Sequence, residues 1–278
     1  MALGCVITQV TPLFPRRIFI QWDLLNPTES GSYTFRVERS GSTEGPWTAL
    51  QAGMQNTFNF IDDFTQPVLE DNAVAHPFSL QRQFYYRVLA VPPSGCAAQA
   101  LSDPHGVEPE LPPIQRGLRR KLRYEESRIW KAYSGVRLAL LKRRRWGVRC
   151  PDCWDAMTNS CTIEHCETCY GTSFTGGYWN PVIVYGRIHP PNNVTAQTTQ
   201  RDKNESTQHL ITVLDVPLLQ DDDMIVETDT NQRHIVRRKT QTELKRRSVH
   251  QQLTTSLIER GGIEYCLPVD LRATPPLL

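Results

Sequence analysis

Two Cys-x₂-Cys pairs, Cys150 with Cys153 and Cys166 with Cys169, are separated by a twelve-residue loop and constrain this chain more than any other feature. Each pair presents two thiolates on one tight turn, and the loop lets the two turns meet tetrahedrally around a metal ion. Soft sulfur ligands favour zinc, with iron the chemical runner-up. Four thiolates also leave no open position for a reactive water, so the metal is expected to be structural rather than catalytic. In a segment this short, metal binding supplies folding free energy on the order of 10 kcal/mol. Gly171, two residues past Cys169, fits a tight metal knuckle that needs a residue free of Cβ strain. The competing readings are a pair of disulfides, or reduced thiols that simply pack. Cys161 and His165 lie inside the loop and are read as spare, because the two pairs already fill four positions. Glu164 and Glu167 are near in sequence, but a closed site gives them no catalytic work.

The cysteine distribution supports a local site. Five of the eight cysteines fall within the twenty residues from 150 to 169, while Cys5, Cys96 and Cys266 are scattered. That pattern favours metal binding in a reducing compartment over a disulfide framework. A chain of 278 residues with 39% apolar content can build two or three small domains, each with a core. No run of eighteen apolar residues occurs, so no transmembrane helix is expected. The opening MALGCVITQVTPLFPRR has no basic segment followed by an apolar stretch, so no signal peptide is expected.

Net charge is +2, yet thirteen Lys or Arg residues stand between Arg116 and Arg149 against only Glu125 and Glu126. Such a block calls for an anionic neighbour, a large solvated surface, or both. Leu118, Leu122, Ile129, Trp130, Tyr133, Val136, Leu140 and Leu141 recur at spacings near three or four, which predicts an amphipathic helix from Arg116 to Trp146. Ser134-Gly135 is a candidate break near its middle and Gly147 a candidate stop. Arg119, Arg120, Lys121 and Arg123 on the first half, and Lys142, Arg143, Arg144 and Arg145 before the ribbon, are the candidate contacts. A protein interface, sequence-independent phosphate contact and plain solvation all remain open for them.

The first hundred residues read as short strands. Arg17–Asp23, Ser32–Arg39, Thr57–Ile61 and Phe84–Val91 alternate apolar and polar residues, with turn signals such as Asn26-Pro27 and Gly45-Pro46 between them. That spacing predicts a β-sandwich. Trp22 on an early strand, VERS leading to Gly45-Pro46-Trp47, and the late FYYRV strand resemble a fibronectin type III domain over residues 3–102. The insertion from Thr65 to Ser79 departs from that family's usual length. Ser102–Pro113 is rich in proline and acid and reads as a linker. Beyond the ribbon, Pro181–Arg187 and His209–Val216 read as strands, and Met224–Glu227 and His234–Arg237 flank a hairpin turn at Asp229–Gln232. Asn192–Glu205 is polar throughout and reads as a loop, and the tail from Ala273 as loose.

The expected fold is therefore mainly β and multidomain. It comprises a sandwich over 1–102, a linker and basic helix over 103–148, a ribbon over 149–180 and a small barrel over 181–278. Trp146, Trp154, Tyr170, Phe174, Tyr178 and Trp179 cluster with the cysteines and read as the ribbon's mini-core, with base stacking the sharper alternative. Asp221-Asp222-Asp223 lacks the alternating acid spacing of a calcium loop and reads as a solvated turn. Asn193-Val194-Thr195 matches a glycosylation sequon, which a chain without a signal peptide would not use. No GxSxG, Walker A or HExxH pattern occurs, so no enzyme is expected.

The runs Cys150-Pro151-Asp152-Cys153-Trp154-Asp155 and Cys166 through Tyr178 (CETCYGTSFTGGY) resemble a cysteine-rich segment of tailed-bacteriophage virion proteins. Ser173 stands where that segment more often has glycine. More weakly, DDDMIVETDTNQRHIVRRK, the polar strand through His250-Gln251-Gln252 and IEYCLPVD resemble the small barrels of head-completion or head-to-tail connector proteins. The resemblance implies a structural neck protein of the virion, assembled in the bacterial host cytoplasm. It would form a homo-oligomeric ring that joins portal, adaptor or tail proteins, with possible non-specific contact to packaged DNA and no membrane partner. A baseplate or tail protein is the near alternative, and a nucleic-acid-binding zinc-ribbon protein the distant one.

Overall fold

The computed structural model describes residues 3–14, 17–27, 29–64, 83–95, 99–163, 165–190, 192–195, 205–244, 247–269 and 277. The Thr65–Ser79 insertion, Cys96, Glu164 and most of the tail from 273 lie outside the described residues. In chain order the strands begin with β1 (Gly4–Leu13), β2 (Arg17–Leu25), β3 (Thr34–Ser40), β4 (Thr48–Gln55), β5 (Asn59–Asp62), β6 (Tyr85–Val91), β7 (Ala100–Leu101) and β8 (His105–Gly106). Helix α1 (Pro113–Ile129) follows, then a π-turn at Trp130–Ser134. After it come β9 (Val136–Leu141), β10 (Trp154–Asp155), β11 (Ser160–Cys161), β12 (Val182–Ile188), β13 (Asn192–Thr195), β14 (Glu205–Leu214), β15 (Met224–Glu227), β16 (Arg233–Leu244) and β17 (Arg247–Leu257). The protein is mainly β, as its patterning predicts. It forms two compact units, Met1–Leu122 with Arg145–Pro151, and Arg123–Arg144 with Asp152–Leu278.

The first unit holds two antiparallel sheets, ordered β1-β2-β5 and β4-β3-β6-β7, with β8 paired to β6. Alternation along β3 and β6 sends Phe35, Val37, Tyr86 and Val88 inward, where they are buried together with Trp22 and Ile20 of β2. Strands β1 and β4 carry weaker alternation and escape the sequence reading. A buried polar knot involves β3, β5 and β6: Arg39 Nη1 and Tyr86 Oη both donate to Asp62 Oδ2, at 2.7 and 2.8 Å. The Arg39 guanidinium also lies 4.8 Å from the Phe64 ring centre. Trp146, expected in the ribbon's core, belongs here instead. Its ring packs against Tyr33 and Phe35, and its Nε1 donates to Asp23 Oδ1 at 3.0 Å.

The helix predicted as far as Trp146 passes at Ile129 into the π-turn, which ends at Ser134, and Val136–Leu141 is a strand. Gly135 makes the change of direction possible. Its N–H reaches Trp130 O at 2.7 Å, and a Cβ there would stand 2.7 Å from that same oxygen. Leu138–Leu141 are buried on both faces, and a short apolar run buried on both faces has no period that separates helix from strand. The expected break at Ser134-Gly135 is real; the second half is β rather than helix.

Strand β9 completes a closed six-stranded barrel, β12-β9-β15-β16-β17-β14, sealed where Gly186, Arg187 and Ile188 of β12 pair with Val213, Thr212 and Ile211 of β14. Paired residues share a face, so Leu138, Leu140, Ile225, Val236, Val213 and Leu253 fill the interior. Gly186 is required at the seam: a Cβ there would lie 2.7 Å from both Leu138 Cδ1 and Val213 Cγ1. The predicted loop over Asn192–Glu205 is corrected at both ends, since 192–195 form β13 on the edge of β14 and β14 begins at Glu205. Polarity misled there because edge strands are commonly polar. Leu277, in the tail expected to be loose, is buried and donates its N–H to Ile183 O at 2.7 Å.

One interior residue is charged at a cost. His234 is 1% exposed, neither ring nitrogen has a hydrogen-bond partner among the described residues, and its ring packs edge-on to His209 at 5.2 Å. Burial first, and His209 second, push its pKa from 6.5 down to about 4. Between those values the unfolded chain takes up the proton and the folded barrel does not. Stability present above pH 6.5 is therefore lost as pH falls toward 4, by about 3 kcal/mol at most. Urea melts at pH 7 and pH 4.5 should show this drop in the native chain and a much flatter response in His234→Phe. Equal pH responses of the two proteins would refute the assignment.

Candidate metal centre

The cysteine segment is built from tight turns. Tyr170 N–H donates to Cys166 O at 2.8 Å, and Thr172 closes the next turn with its N–H and Oγ1 both on Cys169 O, at 3.0 and 2.7 Å. Tyr170 and Gly171 take left-handed backbone, φ 51° and 75°, so the glycine expected of the knuckle stands in the conformation that favours it. Farther on, Gly176 N–H donates to Thr168 O and Gly177 N–H to Phe174 O, folding the Thr-Gly-Gly run back over the second pair.

These turns bring together the four sulfurs named from spacing. Cys150, Cys153, Cys166 and Cys169 are all buried, and their Sγ atoms lie within 4.8 Å of one another. A tetrahedral site with metal–sulfur bonds of about 2.3 Å needs sulfurs roughly 3.8 Å apart, so the set fits a metal ion with little rearrangement. Burial pushes the Cys169 thiol up to about 11. A cation among the sulfurs is what reverses that penalty and favours thiolate. His165 and Glu167 are exposed and are not in the cluster.

Cys161 is the residue the spacing argument undervalued. Strand β10 pairs with β11 in register Trp154↔Cys161, and Thr162 N–H donates to Cys153 O at 2.8 Å. This hairpin lays the Cys161 sulfur 2.8 Å from Cys153 Sγ and 3.2 Å from Ser173 Oγ, with Cys161 only half-buried. The sequence signal was a fifth cysteine at β-hairpin distance from a ligand, which means nothing until the hairpin register is known. Asp155 holds the hairpin turn, accepting from Met157 N–H at 2.9 Å and Thr158 Oγ1 at 3.0 Å. Those bonds to its charged form hold its carboxyl below the usual range.

The basic residues beside the ribbon are largely taken up inside the protein. Arg143 donates to Asp222 Oδ2 at 2.9 Å and to Gly171 O at 3.2 Å, while its N–H meets Asp223 Oδ1 at 2.8 Å. Arg144 donates to Thr175 O and Tyr178 O and lies 4.5 Å over the Trp179 ring. Lys142 is buried and reaches Leu218 O at 3.4 Å. On α1, Arg119 pairs with Glu108 at 2.9 Å and Arg123 is bidentate on Asp215. Five of the eight candidate contacts thus serve the fold; Lys121 and Arg145 are exposed and Arg120 is half-buried. The same bonds correct the reading of Asp221–Asp223 as a solvated turn, since Asp223 is fully buried and anchors both Arg143 N–H and Gln220 N–H.

Of the expected aromatic mini-core, Phe174, Tyr178 and Trp179 are buried, and Trp154 and Tyr170 are half-buried. Tyr178 and Tyr170 pack onto the outer face of the barrel, with Ala139, Ile183, Met224, Val226 and Leu267. Tyr170 and Tyr178 of the cysteine segment therefore share a core with the barrel.

No known protein family matches the chain, and no curated protein does. Among solved structures, it is similar to pectate lyase Pel3 from Pectobacterium carotovorum at 12% identity and a TM-score of 0.25. That match covers 39% of this chain and 28% of the lyase chain, and it carries no argument about fold or activity.

Proposed function

We propose that this chain is a structural protein of a tailed-bacteriophage virion, a ring component of the neck that joins portal and capsid to the tail. The observation that carries the reading is the CPDCWD and CETCYGTSFTGGY pair of turns, whose four buried sulfurs are gathered at one point. The metal is read as zinc, the ion that four thiolates best suit, with a structural role. The closed barrel beside the ribbon supports the connector resemblance, and the two-sheet first unit supports a fibronectin type III-like appendage. A ring subunit works by repeating one modest interface around a closed symmetry, which asks for rigid parts held at fixed angles. A ribbon tied to a barrel through Arg143, Arg144 and Tyr178 supplies such rigidity. The nucleic-acid-binding alternative loses support, because most of its candidate contacts are committed inward.

Purified particles of the phage encoding the chain should contain it at a fixed copy number, about six or twelve for a neck ring. Quantitative mass spectrometry of gradient-purified virions reads this directly, and particles lacking the protein would defeat the proposal. Loss of tail attachment on deleting the gene, with filled heads still formed, separates the neck from the baseplate.

A further inference from the structure

We propose that Cys161 and Cys153 form an oxidation site at which hydroperoxides convert the metal centre to a disulfide and release the ion. The inference rests on the reading of the four thiolates as a metal site. Its foundation is placement. The β10–β11 hairpin fixes the Cys161 sulfur 2.8 Å from Cys153 Sγ, with Cys169 also in hydrogen-bonding reach, and the Cys161 thiol donates to Ser173 Oγ at 3.2 Å. The four cluster sulfurs belong to buried residues, whereas Cys161 is half-exposed. An oxidant arriving from solvent therefore meets Cys161 first.

The chemistry balances in two steps. Cys161 thiol attacks a hydroperoxide, the O–O bond breaks, and Cys161 becomes a sulfenic acid with release of water or alcohol. The Cys153 sulfur, leaving its metal bond, then attacks the sulfenic sulfur, and the S–O bond breaks as a second water departs with one added proton. The two thiols lose two electrons and the peroxide gains them. Three thiolates remain around the ion, the weakened site has lost one of its four anionic ligands, and the ion is released. A fifth thiol that served only to pack would gain nothing from lying against a ligand sulfur on the solvent side of the cluster. For a particle part assembled among reducing thiols and then released to an oxidising exterior, this site would replace a metal-held joint by a covalent one.

The test uses the full chain, purified under reducing conditions and assayed for metal by elemental analysis. Hydrogen peroxide is then added stepwise, with released zinc read by a chromogenic chelator and disulfides mapped by alkylation and peptide mass spectrometry. The Cys153–Cys161 pair should be the first disulfide formed, with one zinc released per disulfide. Cys161→Ser should bind zinc at the same stoichiometry yet release it about tenfold more slowly or less. A first disulfide between other cysteines, or release from Cys161→Ser at the native rate, would overturn the proposal. A chain carrying no metal before peroxide overturns the metal centre and metal release with it, while its peptide map still decides the Cys153–Cys161 pairing, so the two failures are told apart.

Discussion

Replacing Cys169 by Ser is expected to cost the protein its metal and to lower the melting temperature of the ribbon-bearing unit by more than about 10 °C. The size follows from what else holds the segment. Its turns are short, its strands β10 and β11 have two residues each, and its hydrogen bonds are worth roughly 1 kcal/mol apiece. Against that, a structural metal contributes on the order of 10 kcal/mol, comparable with the whole stability of a small domain. Arg143 bridges Asp222 to Gly171 of the segment and Arg144 holds its Thr175 and Tyr178 carbonyls, and the barrel has its own core, so the variant should keep a folded barrel while residues 150–179 become protease-sensitive. Calorimetry, elemental analysis and limited proteolysis together read the effect. Chelator under reducing conditions should reproduce it in the native chain, and Cys161→Ser should not. A native chain that melts identically with and without chelator would end the metal reading.

How much of this was legible in the sequence depends on how local each feature is. The four ligands are close in the chain and chemically distinctive, so spacing alone grouped the right sulfurs. The alternating strands β2, β3 and β6 were readable for the same reason: their period is local. Strand β9 was not, because Leu138–Leu141 is apolar at every position and its partners, β12 and β15, begin more than forty residues later. The basic block misled in a similar way. Charge counts place Arg123, Arg143 and Arg144 on a surface, but their acceptors Asp215, Asp222 and the carbonyls near Tyr178 are reached only after the barrel closes. Cys161 needed still less reach, eight residues to Cys153, yet its meaning depended on a hairpin register that two strands of two residues each do not announce.

Removing Asp215 tests the same block of charge from the other side. Arg123 is 1% exposed and donates Nε and Nη2 to the two Asp215 oxygens at 2.7 and 2.8 Å, a fork-to-fork pair inside the second unit. Beside it, His250 Nε2 meets Glu126 Oε2 at 2.8 Å and its ring centre lies 6.1 Å from that of Trp130, so the end of α1 from Arg123 is held to the barrel at two points. Burial raises the Glu126 carboxyl, His250 opposes that rise, and Asp215 adds to it. Asp215→Ala leaves a guanidinium buried without its acceptor and should cost about 3–5 kcal/mol in urea denaturation. Arg123→Met with Asp215→Leu removes both charges and should recover most of that loss, because the expense lies in the unpaired ion rather than in the missing bond. An Asp215→Ala chain within about 1 kcal/mol of native would show that the pair is solvated and Arg123 free to serve elsewhere. The expected outcome instead makes Arg123 a fixed part of the barrel's wall. Any anionic partner of this segment, nucleic acid or protein, must then be met by exposed cations such as Lys121 and Lys131 rather than by Arg123. Charge reversal at Lys121, and not at Arg123, is the change that should alter association while leaving stability unmoved.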